Sequence, residues 1–429
     1  MVRYRCERPM DSKEILKELI SFPTVSSASN LALVDYCAEL LRRVTPDIEI
    51  IEDKTKKKAN LYASIGPSDR SGVLLSGHTD VVPVDGQNWK FLPFSMTECD
   101  GNLYGRGAAD MKGFVACALN AALQTKNRKL VEPLKLALSF DEEVGCVGVR
   151  SLIEMLRNQP LLPRLCIVGE PTLMKIATEH KGKTVCRVSI TGKEIHSAEA
   201  PKGLNAIYLA IDVIQSIRRK QDDIIRHTSN ENEFDIPYTT LHVGSIEGGT
   251  ALNIVPKHTS FMFEIRNSVE ENPDELLEDL KVHSKDIFFK LQKSHPEADV
   301  KFDIINQYPP LSTSNDADVV SFVGSLTEMN DTIKVSFGTE GGLFNQVGIP
   351  TVVCGPGSMA QGHQADEFIS SLGLDRVNHN AVQNAIDELK IECFLSPQGT
   401  EIGYIDGNKD IFVEDIIKFL ESKKGHVRL

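Results

Sequence analysis

Gly72–Ser76 (GVLLS) runs without a break into Gly77, His78, Thr79 and Asp80, so an apolar run ends directly on polar, chemistry-bearing residues. A short apolar run of this kind is consistent with a strand buried on both faces, as the strands of a parallel sheet are. Leu134–Phe140 (LKLALSF) and Leu165–Val168 (LCIV) have the same character, and Ile349–Cys354 (IPTVVC) is a further one. Between the first two lies Ala108–Gln124, which reads as a helix whose small residues could lie close on a sheet. Strands alternating with helices at this spacing imply the α/β class, with a doubly wound, mostly parallel sheet. Upstream, Ser12 is expected to cap a short helix over Lys13–Ile20 that Pro23 ends, and Leu31–Val44 is apolar at helical spacing.

From about Lys183 the pattern changes. Thr184–Thr191 (TVCRVSIT) and Thr239–Val243 alternate apolar and polar residues, as half-exposed antiparallel strands do. Helical patterns over Asn205–Arg219 and Pro273–Lys293 accompany them. Strand, helix, two strands, helix, strand is the order of a small α+β sandwich. The expected organisation is therefore a catalytic domain split into residues 1–182 and 298–429, with a smaller α+β lid or dimerisation domain inserted at 183–297. No repeat and no low-complexity segment interrupts it.

At 429 residues the chain is too long for one ordinary core, which agrees with two domains. With 41% hydrophobic residues it can bury a sizeable core, so wholesale disorder is excluded. Its 47 Lys+Arg against 60 Asp+Glu leave a formal charge of −13, which argues against nucleic-acid and anionic-membrane partners. No apolar run approaches the ~18–20 residues of a membrane span, and the opening MVRYRCERPM lacks the apolar core of a signal peptide. Nine scattered cysteines without a CxxC pair read as reduced, mostly buried thiols of a cytoplasmic protein. The Lys54–Lys58 run reads as a solvated turn.

The residues that carry chemistry follow the apolar runs. His78 and Asp80 follow the first, Asp141, Glu142 and Glu143 the second, and Glu170 the third; Asp110 opens the small-residue helix. In open α/β sheets the carboxyl ends of the strands border the binding crevice, so one histidine and several carboxylates are expected to converge there. Two like charges ~4 Å apart repel by roughly 4 kcal/mol at an effective dielectric near 20. Such a cluster must either bind cations or keep some carboxyls protonated. A histidine-plus-carboxylate set suits zinc or cobalt-like ions better than calcium, and His363 could complete it. Taken singly, each motif has a plain reading: Asp-Glu-Glu as a solvated loop, His-x-Asp as a surface pair, Gly-Glu-Pro-Thr as a turn. Their shared position after strand-like runs is what joins them.

The block Ser76–Phe114 (SGHTDVVPVDGQNWKFLPFSMTECDGNLYGRGAADMKGF) closely resembles the dizinc amidohydrolase family that includes acetylornithine deacetylase, succinyl-diaminopimelate desuccinylase and aminoacylase. Ser139–Gly145, Gly169–Thr172, Gly192–Ser197 and Gly338–Phe368 follow in the family's order. Within the family, Gly338–Leu343 (GTEGGL) with Gly355–Phe368 (GPGSMAQGHQADEF) is most similar to acetylornithine deacetylase. The resemblance implies two divalent metal ions, zinc first and cobalt as the other candidate. One would be held by His78, Asp110 and Glu170, the other by Asp110, Glu143 and His363, with Asp110 bridging. It implies Glu142 as general base, Asp80 as the carboxylate that orients His78, and His196 as an oxyanion-steadying group reaching the partner subunit of a homodimer. Asn253 and Arg266 match positions that hold the substrate's carboxylate.

The implied reaction is hydrolysis of N-acetyl-L-ornithine to L-ornithine and acetate, a step of arginine biosynthesis, by metal-activated water. Desuccinylase, aminoacylase and small-peptide carboxypeptidase are the alternatives inside the family, and a non-catalytic binding protein the one outside it. His180 and His242 read as structural, and Trp89 and Phe91 as packing residues of their loop. After Phe368 the chain continues for 61 residues, more than the single closing helix the family needs. Ile411–Lys423 could be that helix, with 371–409 an insertion carrying its own helical pattern at Asn380–Leu389.

Overall fold

A computed structural model of the chain describes residues 10–228, 234–327, 331–371 and 374. The expectations for the opening decapeptide up to residue 9, for 375–409 and for Ile411–Lys423 lie outside the described residues. The chain folds as two compact units, one of residues 1–178, 313–333 and 339–429 and the other of 179–312 and 334–338.

In the first unit six strands pair in the order Ile48–Glu52, Ala59–Ile65, Leu134–Ser139, Val73–His78, Leu165–Val168, Thr351–Val353. The last four run parallel to one another, and the first two add an antiparallel edge. The central strands are buried on both faces, as a sheet covered by helices requires. The parallel core of the sheet is therefore as expected; Ile176–His180, antiparallel to Thr351–Val353, is an addition, and so is the edge pair from Ile48 to Ile65. Its alternation is weak because Ala59–Ile65 is buried almost throughout while Ile48–Glu52 is largely exposed. The Lys54–Lys57 turn joins the two and is exposed, but Lys58 turns inward to Asp141.

Two expected helices differ in detail. The first spans Ser12–Ser21 and is capped by Asp11, not Ser12. The Asp11 carboxylate accepts from the Glu14 N–H at 2.8 Å, and Glu14 accepts from the Asp11 N–H at 3.1 Å, a reciprocal capping box. Ser12 faces inward, where its hydroxyl accepts from Asn120 at 3.0 Å. Asp11→Ala is expected to lower stability by about 1 kcal/mol and Asp11→Asn by less, as read from denaturation midpoints. The second difference lies in Ala108–Gln124. Regular helix starts only at Gly113, because Asp110 and Met111 leave the helical region. From Gly113 to Ala122 every residue is buried.

The second unit is a four-stranded antiparallel sheet in the order Thr240–Gly248, His258–Arg266, Lys183–Thr191, Asp299–Tyr308. The helices Ala206–His227 and Pro273–Gln292 bury one face around Phe261, Phe263, Val188 and Ile265. Asn205 and Asn272 cap them, and proline opens the second at its first turn, where its missing N–H costs nothing. The boundary expected at residue 297 falls short. Asp299–Tyr308 pairs along the whole of Lys183–Thr191, so the fourth strand belongs to this unit. Among the described residues no helix is long and apolar enough to cross a membrane. The described cysteines are free thiols, all buried except Cys99.

Candidate metal centre

Four parallel strands end on the same edge of the first unit's sheet, and each end delivers part of one site. His78 is the last residue of its strand, Glu142 and Glu143 follow Leu134–Ser139, and Glu170 follows Leu165–Val168 by two residues. His363 lies in the loop that follows Thr351–Val353, and Asp110 stands in the break before the Gly113 helix. Glycine is needed where the chain crowds here. A Cβ on Gly169 would sit 1.9 Å from the Phe114 ring, and one on Gly355 would meet the Gly169 carbonyl at 2.1 Å.

The donors form two groups that share Asp110: His78, Asp110 and Glu170 in one, Asp110, Glu143 and His363 in the other. His78 Nε2 lies 3.1 Å from Asp110 Oδ1 and 3.6 Å from Glu170. His363 Nε2 lies 3.1 Å from Asp110 Oδ2 and 3.0 Å from Glu143. Asp110 thus turns one oxygen to each group. Two ligands ~2.1 Å from a common ion at tetrahedral angles stand about 3.4 Å apart, and the observed spacings bracket that value. The donor set and its spacing fit two divalent ions.

The electrostatics agree with that fit. Burial works against a proton on His78, yet the bond to Asp110 and the charges of Glu170, Asp110 and Asp80 hold its pKa well above the ordinary value. Bonds to Asp110 and Glu143 raise His363 to about 10. Burial, with Asp110 adding, pushes Glu170 well up and Glu143 up. The packed carboxylates thus favour positive charge between them, which a bound cation would supply.

Residues 74–386 match the profile described as Peptidase family M20/M25/M40. An acetylornithine deacetylase of Pasteurella multocida (strain Pm70) is 35% identical over 376 residues, covering 84% of this chain and 94% of that protein. One from Myxococcus xanthus is 34% identical over 359 residues, covering 82% and 91%. The chain belongs to peptidase family M20/M25/M40. The fold agrees: an M20 family metallo-carboxypeptidase, Sso-CP2 of Sulfolobus solfataricus, superposes with a TM-score of 0.69 at 22% identity, over 90% of this chain and 100% of that one. The M20 chain is a metal-dependent amidohydrolase.

Around the donors the M20 chain has a supporting layer, part of it unexpected. Asp80 does not orient His78 through its carboxylate, which is 3.6 Å away and beyond hydrogen-bond reach. The contact to His78 Nδ1 is the Asp80 carbonyl, at 2.9 Å. The carboxylate instead accepts from the Glu142 and Glu143 N–H groups at 3.1 and 3.4 Å and from the Ser26 hydroxyl at 2.7 Å. One residue thereby fixes His78 and the Glu142–Glu143 turn together. Glu142 belongs to neither donor group. Burial pushes its carboxyl up to about 8; His78 opposes, while Glu143, Glu340 and Asp110 add.

Sequence reasoning misses Glu340 as a site residue, although its segment is part of the family resemblance. It is 1% exposed, accepts from the Ser139 and Ser76 hydroxyls, and is raised to about 7 by burial. It ties together the ends of the two strands that carry His78 and Glu142. Arg106 and Glu367 escape it too. Each is 1% exposed and they pair at 2.6 Å, while Glu367 also accepts from the Ala109 and Asp110 N–H groups, both at 3.0 Å. Long sequence separation hides such pairs until the fold brings them together. Trp89 and Phe91 do pack, under Arg106 and against Tyr104 respectively. His180 is fully buried in a strand, which accords with a structural role.

The three expected residues of the second unit do not form one group. His196 is exposed, and its Nδ1 accepts from the Ala198 N–H at 3.1 Å. Asn253 lies beside it, its carbonyl accepting from the Ser197 N–H at 2.9 Å. Arg266 is half-buried and donates to Glu264 at 3.1 Å and to the Tyr308 hydroxyl at 3.2 Å. Arg266 ends the His258–Arg266 strand, whereas Asn253 precedes its start. Eight steps of ~3.4 Å put about 27 Å of strand between the two ends. One copy of the unit cannot close Asn253 and Arg266 on the same small carboxylate.

Proposed function

We propose that this chain hydrolyses N-acetyl-L-ornithine to L-ornithine and acetate, as a step of arginine biosynthesis, with zinc in both positions and cobalt able to replace it. The observation that carries the reading is Asp110, one oxygen toward His78 and the other toward His363, in a chain about a third identical to acetylornithine deacetylases over more than four-fifths of its length. In this reading His78, Asp110 and Glu170 hold one ion, and Asp110, Glu143 and His363 the other. Divalent ions held there lower the pKa of water from near 16 toward ~7 and polarise the acyl carbonyl.

The remaining work falls to side chains. Glu142 takes the proton of the attacking water and returns it to the leaving amine nitrogen, for which a carboxyl raised by its surroundings is suited. Asp80 keeps Glu142 and His78 in register. Arg266 offers a planar fork to the substrate's carboxylate, in competition with Glu264. His196 and Asn253 act together, and the reading assigns them to the site of a second copy in a cytoplasmic homodimer, where His196 steadies the oxyanion.

The test is release of free amine from N-acetylornithine, N-succinyl-diaminopimelate and a dipeptide, by chelated protein before and after zinc or cobalt is restored. Metal-dependent release from the acetyl substrate alone is expected. Release from another substrate alone keeps the chemistry and overturns the specificity; release that ignores the chelator overturns the chemistry.

A further inference from the structure

His363 is the least supported member of the two donor groups. Its side chain is 49% exposed, it sits in a loop outside the sheet, and its backbone is in the left-handed region at φ 61°. Packing does not hold such a residue, so hydrogen bonds must. The rest of the loop is tied to residues 172–174 and, through Glu367, to the stretch 105–110, while the part next to His363 is held by the segment after Asp80. The Gln87 amide donates from Nε2 to the His363 carbonyl at 2.8 Å, and Asp366 accepts from the Lys90 and Phe91 N–H groups at 2.8 and 3.1 Å.

Gln87 is itself fixed from the other side. Its Oε1 accepts from Arg106 Nη2 at 2.5 Å and from the Trp89 indole at 3.0 Å, so the amide is oriented with its nitrogen toward His363. Arg106 in turn pairs with Glu367, whose other oxygen holds the Ala109 and Asp110 N–H groups. A continuous chain of bonds therefore runs from the backbone of Asp110 through Glu367, Arg106 and Gln87 to the backbone of His363. Those two ends carry the donors that stand 3.1 Å apart in the more exposed group.

We infer that Gln87 is a positioning residue that sets His363 against Asp110 and so governs the Asp110–Glu143–His363 metal position, leaving the His78–Asp110–Glu170 position unaffected. The inference rests on the two-ion reading above. Gln87 lies in a loop outside the buried core, so a replacement that leaves Arg106 its acceptor spares the fold. Two variants separate its two faces. Gln87→Glu keeps an acceptor for Arg106 and Trp89 but puts an oxygen against the His363 carbonyl; Gln87→Ala removes both contacts. Losing an outer partner of a metal ligand typically costs 10–100-fold in affinity or activity.

The experiment loads chelated full-length protein with zinc at buffered free concentrations. It measures ions bound per chain by elemental analysis, with thermal melts of the metal-free proteins and His363→Ala as the reference for a lost position. Gln87→Glu is expected to melt like wild type and Gln87→Ala below it, since buried Arg106 loses an acceptor there. Both are expected to weaken one of two ions by about 10–100-fold, the same ion that His363→Ala loses. Wild-type binding of both ions in either variant overturns the inference, as does equal weakening of both ions. Loss in Gln87→Ala with full retention in Gln87→Glu overturns it too, since the bond to His363 would then be dispensable. A wild-type protein that binds fewer than two ions sinks the two-ion reading itself and the inference with it.

Discussion

Glu142→Gln is expected to reduce kcat by about 10²–10⁴-fold, the usual contribution of a positioned general base, while both metal ions remain bound. Glutamine keeps the shape of the side chain and can still accept from the Cys146 thiol, which lies 3.3 Å from Glu142 Oε1. It cannot take a proton from water and hand it to nitrogen. Because Glu142 stands outside both donor groups, the substitution leaves the five proposed ligands in place. The backbone bond from Glu142 to Asp80 is unaffected by the side chain, so the turn carrying Glu143 is expected to hold. The measurement pairs kcat on N-acetylornithine with metal content per chain. Parallel loss of metal and turnover would assign Glu142 to the ligands and remove it as the base.

The second large effect is expected from Asp110→Asn. Asp110 is the one residue common to both groups, it is 4% exposed, and each of its oxygens faces a different histidine. Asparagine retains a single acceptor and no charge, and its NH₂ would point at one of the two cation positions. Both positions should weaken by more than the 10–100-fold typical of losing an outer partner. Glu143→Gln and Glu170→Gln, by contrast, each touch one group. Metal content at a zinc concentration that saturates wild type should therefore drop at both positions in Asp110→Asn and at one in either glutamate variant. A single lost ion in Asp110→Asn would show that the carboxylate does not bridge.

Much of this is legible without coordinates. Strand ends are encoded locally, by short apolar runs that stop at His78, before Asp141 and before Glu170. Parallel pairing then puts those ends on one edge, so the five proposed ligands and Glu142 can be named from one-dimensional order and resemblance. The capping residue of the first helix is misplaced by one position because Asp11 and Ser12 are both good caps. Only the inward turn of Ser12 toward Asn120 decides between them. The end of the second unit is misplaced although Asp299–Ile304 alternates polar and apolar residues, because alternation marks a strand without saying which sheet it joins; pairing with Lys183–Thr191 decides that.

Residue type and order are enough to name the class of chemistry: an α/β sheet whose carboxyl ends gather two histidines and three carboxylates that repel one another unless cations enter. Tertiary structure alone decided how those groups are held. Arg106 and Glu367 meet across 261 positions and Ser139 and Glu340 across 201, distances over which no local pattern can report a contact. It likewise decided that Asp80 acts on His78 through its carbonyl, and that Asn253 and Arg266 stand at opposite ends of one sheet. The physical reason is the same throughout. Residue type and spacing set what a segment can do, but a buried charge or polar group must find its partner wherever the packed chain brings one within about 3 Å.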